Sequence, residues 1–137
     1  MSADVRQPMF VIGGVPGSGK TTVCRLLAGR FERSIHIPWD VIREEWVVSG
    51  RKLPWDGDPE EMGRQMMLGS RAAFQVARLY SDAGFAVVVD GPLPVHPEIL
   101  PYALGESNDL DPIRLYIHPR LDVVIERLKA RTDRDDT

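Results

Sequence analysis

A chain of 137 residues with 43% hydrophobic and 27% charged residues has the usage of one soluble globular domain, and its 12 glycines and 11 prolines fall well short of a collagen-like or low-complexity composition. The formal charge of −3 provides no general positive field for a polyanion, so no nucleic-acid partner is expected. A single cysteine, Cys24, allows no internal disulfide, no apolar run approaches the roughly 18 to 20 residues of a membrane span, and residues 1–8 lack a signal-peptide core, so a cytoplasmic protein without a membrane partner is expected.

The run Met9 to Val15 is short, β-branched and bounded by glycine, as expected of a first strand buried on both faces. It leads through Pro16-Gly17-Ser18-Gly19 into Lys20 to Gly29, where apolar residues recur at helical spacing. Ser34 to Pro38 is a second strand, and Asp40 is read as the cap of a helix running to about Ser49, with Val41, Trp46 and Val48 on its inner side. After a loop from Arg51 to Gly57, Asp58 as cap, Pro59 at the first position and Glu61 at the third start a long helix that stops at Gly84. Phe85 to Val89, ending in Asp90-Gly91, is a third strand without polar alternation. A short helix near Pro97 to Leu104, a fourth strand from Ile113 to His118 and an amphipathic helix from Arg120 to Arg131 complete the chain. Such alternation predicts an α/β fold: one domain over residues 1–137, with a parallel sheet covered by helices on both faces.

Gly14-Val15-Pro16-Gly17-Ser18-Gly19-Lys20-Thr21 matches G-x-x-x-x-G-K-[ST] at every fixed position, between a predicted strand and a predicted helix. The chemistry is anion capture. Glycines let the backbone curl, so that successive N–H groups and the positive helix end point at one centre, where phosphate belongs. Lys20 then reaches the outer phosphates, Thr21 places its hydroxyl on Mg²⁺, and Thr22 extends the contact set along the helix. Asp90 ends an apolar strand, as does the acidic residue that holds Mg²⁺ through water beside such a loop, although strand ends also carry Asp for turns and caps.

Asp40 lies just past the second strand, with Arg43 three residues on, so both fall on the first turn of the next helix. Carboxyl ends of parallel strands line the ligand crevice, where Asp40 can take the proton of an acceptor hydroxyl and Arg43 can steady a phosphate or the acceptor. The plainer alternative makes Asp40 a cap and Arg43 a solvated surface residue. Arg127, Arg131 and Arg134 follow an i, i+4, i+7 spacing and suit a cationic closure over spreading phosphoryl charge, or else form an ordinary solvated helix end. His36, His96 and His118 show no metal-ligand spacing and are read as structural or surface residues, His118 alone lying at a strand end on the ligand side. Cys24 is read as a small core residue.

With these residues together, the chain from Met9 to about Asp136 resembles small P-loop kinases of the adenylate-kinase-like group, nearest in layout to chloramphenicol phosphotransferase and its relatives, with gluconate kinase, zeta toxin and polynucleotide kinase further off. The resemblance implies a three-layer P-loop fold, ATP and Mg²⁺ as cofactors, Asp40 as the base that activates an acceptor hydroxyl, and Asp90 near the metal. Arg127 would touch nucleotide at the start of a lid, and Arg131 and Arg134 would close it. The segment from Arg51 to Met67 falls where relatives build the acceptor pocket, and an apolar acceptor would suit Trp39, Trp46 and Trp55 unless these belong to the core. Such kinases continue into a fifth strand and an adenine loop, which this sequence lacks. The chain therefore reads as a fragment or a short form with its sheet edge and first helix exposed, monomeric or homodimeric. The activity implied is ATP-dependent phosphoryl transfer to a small-molecule hydroxyl, the alternatives being a nucleotide-binding switch module of a larger protein or a polynucleotide 5′-hydroxyl kinase.

Overall fold

The computed structural model describes residues 6–14, 19–91, 104–105, 109–117, 125–126 and 129–130. Four parallel strands, β1 (Met9–Gly14), β2 (Ser34–Pro38), β3 (Ala86–Asp90) and β4 (Ile113–Ile117), form one sheet in the order β2-β3-β1-β4. Because β3 lies between β2 and β1, its five residues are buried on both faces, which is why Ala86-Val87-Val88-Val89 shows no polar alternation. Helix α1 (Lys20–Ala28) follows β1. A short helix, α2 (Trp39–Val41), follows β2 without a break and continues as a π-helical turn over Ile42–Trp46, and the long α3 (Pro59–Asp82) precedes β3.

Strand pleating sorts the core into two layers. Ile12 of β1 and Val88 of β3 meet Cys24 and Ala28 of α1 on one face, while Val11, Ile37, Val87 and Val89 meet Trp39, Phe74 and Ala77 on the other. Phe74 is buried at 2% exposure, and α3 presents Ala73 and Ala77 beside it so that the helix approaches the sheet closely.

The ends of α3 follow from local chemistry. Asp58 accepts a hydrogen bond from the Glu61 backbone N–H at 3.2 Å, and Pro59, which has no N–H to leave unpaired, takes the first position. At the other end Phe85 N–H donates to Tyr80 C=O and Gly84 N–H to Ser81 C=O, both at 3.0 Å, while the Phe85 and Tyr80 rings meet edge to face at 5.2 Å. This is a Schellman motif with its hydrophobic contact, and Gly84 at φ 90° supplies the left-handed residue it requires.

The second helix departs from the sequence reading. Asp40 is not its cap: Pro38 occupies the cap position with no side-chain hydrogen bond, and Asp40 lies inside the first turn. A regular helix to Ser49 is not formed, because the π-helical turn ends at Trp46. Trp46 is 62% and Val48 86% exposed, so neither serves the inner side, where Trp39 and Ile42 are buried instead. A helix that starts two residues earlier and then widens turns a different face to the sheet. Expectations for Val15 to Ser18, for most of the segments Pro97 to Leu104 and Arg120 to Arg131, and for His96, His118, Arg127, Arg131 and Arg134 lie outside the described residues. Leu104, Ile125, Glu126, Lys129 and Ala130 are helical. Among the described residues no helix is long and apolar enough to cross a membrane.

Candidate functional site

All strands run the same way, so their carboxyl ends share one edge of the sheet. Asp90 is the last residue of β3, in register with Ile12 of β1 on one side and Pro38 of β2 on the other. Gly14 closes β1 at that edge, buried, and Asp40 lies two residues past the end of β2. Gly19 precedes α1 at φ 82°, a conformation that costs other residues roughly 1–2 kcal/mol and turns the chain sharply into the helix. Lys20 and Thr21 then begin α1 beside the end of β3, and Thr22 follows, exposed.

Asp90 collects these residues. Its side chain is 5% exposed; one carboxylate oxygen lies 3.3 Å from Lys20 Nζ, and the other accepts from His36 Nε2 at 3.2 Å and Thr21 Oγ1 at 3.4 Å. Burial alone would raise this carboxyl, but the hydrogen bond with His36 and the charge of Lys20 outweigh it and hold Asp90 below the usual carboxylate range. The same burial, reinforced by the negative charge of Asp90, pushes the neighbouring Cys24 thiol up to about 12. Cys24 is thus a protonated core residue in this state of the protein, as its position in the sequence leads one to expect.

His36 is the site residue that sequence spacing misses. It is half-buried, not a surface histidine, and bonds Asp90 across 54 positions of chain. A signal exists in the alternation of β2: Ser34 and His36 share one face, while Ile35 and Ile37 pack into the α3 side. Pro38 pairs with Asp90 and His36 with Val88, so His36 projects on the same face as Asp90 one pleat before the strand end.

Gly91 has a steric duty. A Cβ there would stand 2.4 Å from Cε3 of Trp39, so only glycine lets β3 end beneath that indole. Trp39 is 2% exposed, also touches Gly69 of α3, and thereby seats the helix that carries Asp40 and Arg43. Of the three tryptophans only Trp39 is core; Trp46 and Trp55 are 62% and 76% exposed.

Arg43 is not a solvated surface residue: its side chain is 11% exposed, with Nη2 3.5 Å from Asp40 and 3.1 Å from Glu44. Its Nε is buried without a hydrogen-bond partner, as is Trp39 Nε1. Asp40 is 45% exposed and free of any capping duty, so its carboxylate stands open to solvent beside the guanidinium. The loop from Arg51 to Gly57 is held against α3, where Lys52 N–H donates to Gln65 Oε1 at 2.9 Å and Gln65 Nε2 to Gly50 C=O at 2.8 Å.

No established family model matches the chain. A UPF0200 protein of Aeropyrum pernix is 31% identical over 85 residues, which are 61% of this chain and 45% of that relative, so the chain spans under half the length of the protein it matches. The APS kinase of Mycobacterium tuberculosis, solved in complex with AMPPNP and APS, superposes with a TM-score of 0.65 at 20% identity, over 96% of this chain and 76% of its own. Shikimate kinase from Acinetobacter baumannii, solved with shikimate, gives a TM-score of 0.58 at 18% identity over 93% of this chain and 65% of its own. The parallel sheet, its strand order and these likenesses together establish an α/β fold of the kind found in P-loop kinases.

Proposed function

We propose that the chain is an ATP-dependent phosphotransferase that moves the γ-phosphoryl group to a hydroxyl of a small molecule. One observation carries the reading: Lys20, Thr21 and Asp90 converge at the carboxyl edge of the parallel sheet, and an open Asp40, free of capping, stands on the next element beside a half-buried Arg43. These residues fit Mg·ATP, because the ammonium of Lys20 can turn from Asp90 to phosphate and the hydroxyl oxygen of Thr21 has a lone pair to offer the metal. When bound, Mg·ATP supplies the transferable phosphoryl group and part of the charge neutralisation. Lys20 binds the outer phosphates, Thr21 and Asp90 hold the metal, and Asp40 orients the acceptor hydroxyl and receives its proton. Arg43, whose Nε is without a hydrogen-bond partner, steadies the acceptor. The lid role belongs to Arg131 and Arg134 in this reading, with Arg127 on the nucleotide.

Calorimetric titration of Mg·ATP into the chain and into Lys20→Ala tests the phosphate site, the expected result being binding that weakens at least about tenfold in the variant. ADP release should then rise on adding a small hydroxyl acceptor, and Asp40→Asn should lower kcat by roughly 10²- to 10⁴-fold with ATP affinity retained. Comparable losses of turnover and ATP affinity would remove Asp40 from the role of base. Nucleotide turnover that ignores every hydroxyl acceptor and responds to a protein partner would replace the transferase with a switch module.

A further inference from the structure

The α1 face of the sheet holds a second set of groups, of which the phosphotransfer reading uses Asp90 alone. Cys24 of α1, His36 of β2 and Asp90 of β3 each offer a ligand atom, a thiol sulfur, an imidazole nitrogen and a carboxylate oxygen, and these atoms all lie within 4.8 Å of one another. Three separate elements converge there, so the cluster is a product of the fold and not of local spacing. Its donors are wrong for Mg²⁺, which takes an octahedron of oxygens, and right for a borderline cation of the Zn²⁺ class.

We propose that Cys24, His36 and Asp90 form a three-ligand site for a zinc-class divalent cation at the base of the phosphate loop, with the fourth position left to water. A tetrahedral zinc site sets its ligand atoms roughly 3.3–3.6 Å apart, given metal–ligand bonds of about 2.0–2.3 Å. His36 Nε2 and Asp90 Oδ2 already stand at 3.2 Å and all three ligand atoms lie within 4.8 Å of one another, so closure is a matter of side-chain adjustment. On binding, the Cys24 S–H bond breaks, the sulfur lone pair forms the metal bond and the proton passes to solvent. His36 moves its remaining proton to Nδ1 so that Nε2 can ligate. The cation replaces the stabilisation that Cys24 lacks as a thiolate in this buried position. Lys20 opposes entry, since its ammonium sits 3.3 Å from Asp90, and it must swing away. If Asp90 serves magnesium as proposed above, zinc occupancy withdraws it, and the two uses exclude each other.

Co²⁺ titration of the reduced chain without nucleotide tests the site, because a cobalt–thiolate bond gives a near-ultraviolet charge-transfer band that oxygen or nitrogen ligands do not. Addition of Zn²⁺ should abolish the band, Cys24→Ala should lack it, and His36→Gln should weaken cobalt binding at least about tenfold, the lower end of what even outer-shell changes cost. Lys20→Met should tighten binding by removing the opposing charge. Absence of the band in the native chain, or a band of unchanged affinity in His36→Gln, would overturn the proposal. Circular dichroism of both variants keeps the result readable if Cys24→Ala fails to fold, since His36→Gln decides independently. No nucleotide enters the assay, so failure of this site and failure of the phosphotransfer reading are separate results.

Discussion

Asp90 owes its character to the groups that meet at the end of β3. Lys20, Thr21 and His36 surround a carboxylate that the sheet has almost removed from water, and their donors hold it ionised. A carboxyl whose value is lowered in the folded state contributes stability above its unfolded value and loses it as pH falls through the lowered one. Relative to Asp90→Asn, the native chain should therefore be more stable by about 1–3 kcal/mol at neutral pH, and the difference should close on acidification below the ordinary value of 3.8. Urea unfolding of both proteins at several pH values measures this. A gap that stays constant into acid would show that Asp90 is not held ionised. The phosphate-loop pattern was fully legible at this scale, since Gly14, Gly19, Lys20 and Thr21 stand at fixed offsets along the chain. His36 was not, because its partner lies 54 positions away and only strand register brings the two together.

Among the elements, the contact between β3 and α2 decides where Asp40 and Arg43 stand. Trp39 lies over Gly91 with no room for a methyl group, so Gly91→Ala must displace the indole or the strand end. Overpacking of this kind costs about 1–3 kcal/mol. Thermal unfolding should register that loss, and phosphotransfer should fall as well, because α2 carries the proposed base. A variant with native stability and native activity would show that Trp39 moves without consequence. Sequence reading located α3 to within two residues at its end, since Asp58, Pro59 and Gly84 specify its ends by local chemistry. It misread the helix after β2 because nothing local marks a π-helical turn. There Pro38, not Asp40, precedes the first turn, and the burial of Trp39 against Gly91 and Gly69 sets the rotation of the helix.

The whole molecule depends on two apolar layers separated by a single sheet. Phe74 anchors the thicker one beneath α3, and Phe74→Ala should cost about 3–5 kcal/mol through lost burial and the cavity left behind. Chemical denaturation would show a lower midpoint with an unchanged slope, whereas a shallower slope would mean that the two layers come apart separately. On the thinner side Leu26 of α1 is 67% and Leu115 of β4 42% exposed. By itself, the sequence determined the α/β class, the strands and their approximate ends, the phosphate-loop motif and both ends of α3, because each depends on residues within a few positions of one another. Only the tertiary structure decided the strand order β2-β3-β1-β4, the gathering of Lys20, Thr21 and His36 on Asp90, the meeting of Cys24 with that cluster, and the freedom of Asp40 from capping. Those features depend on the register between strands and the rotation of helices against them, which packing across the whole core selects.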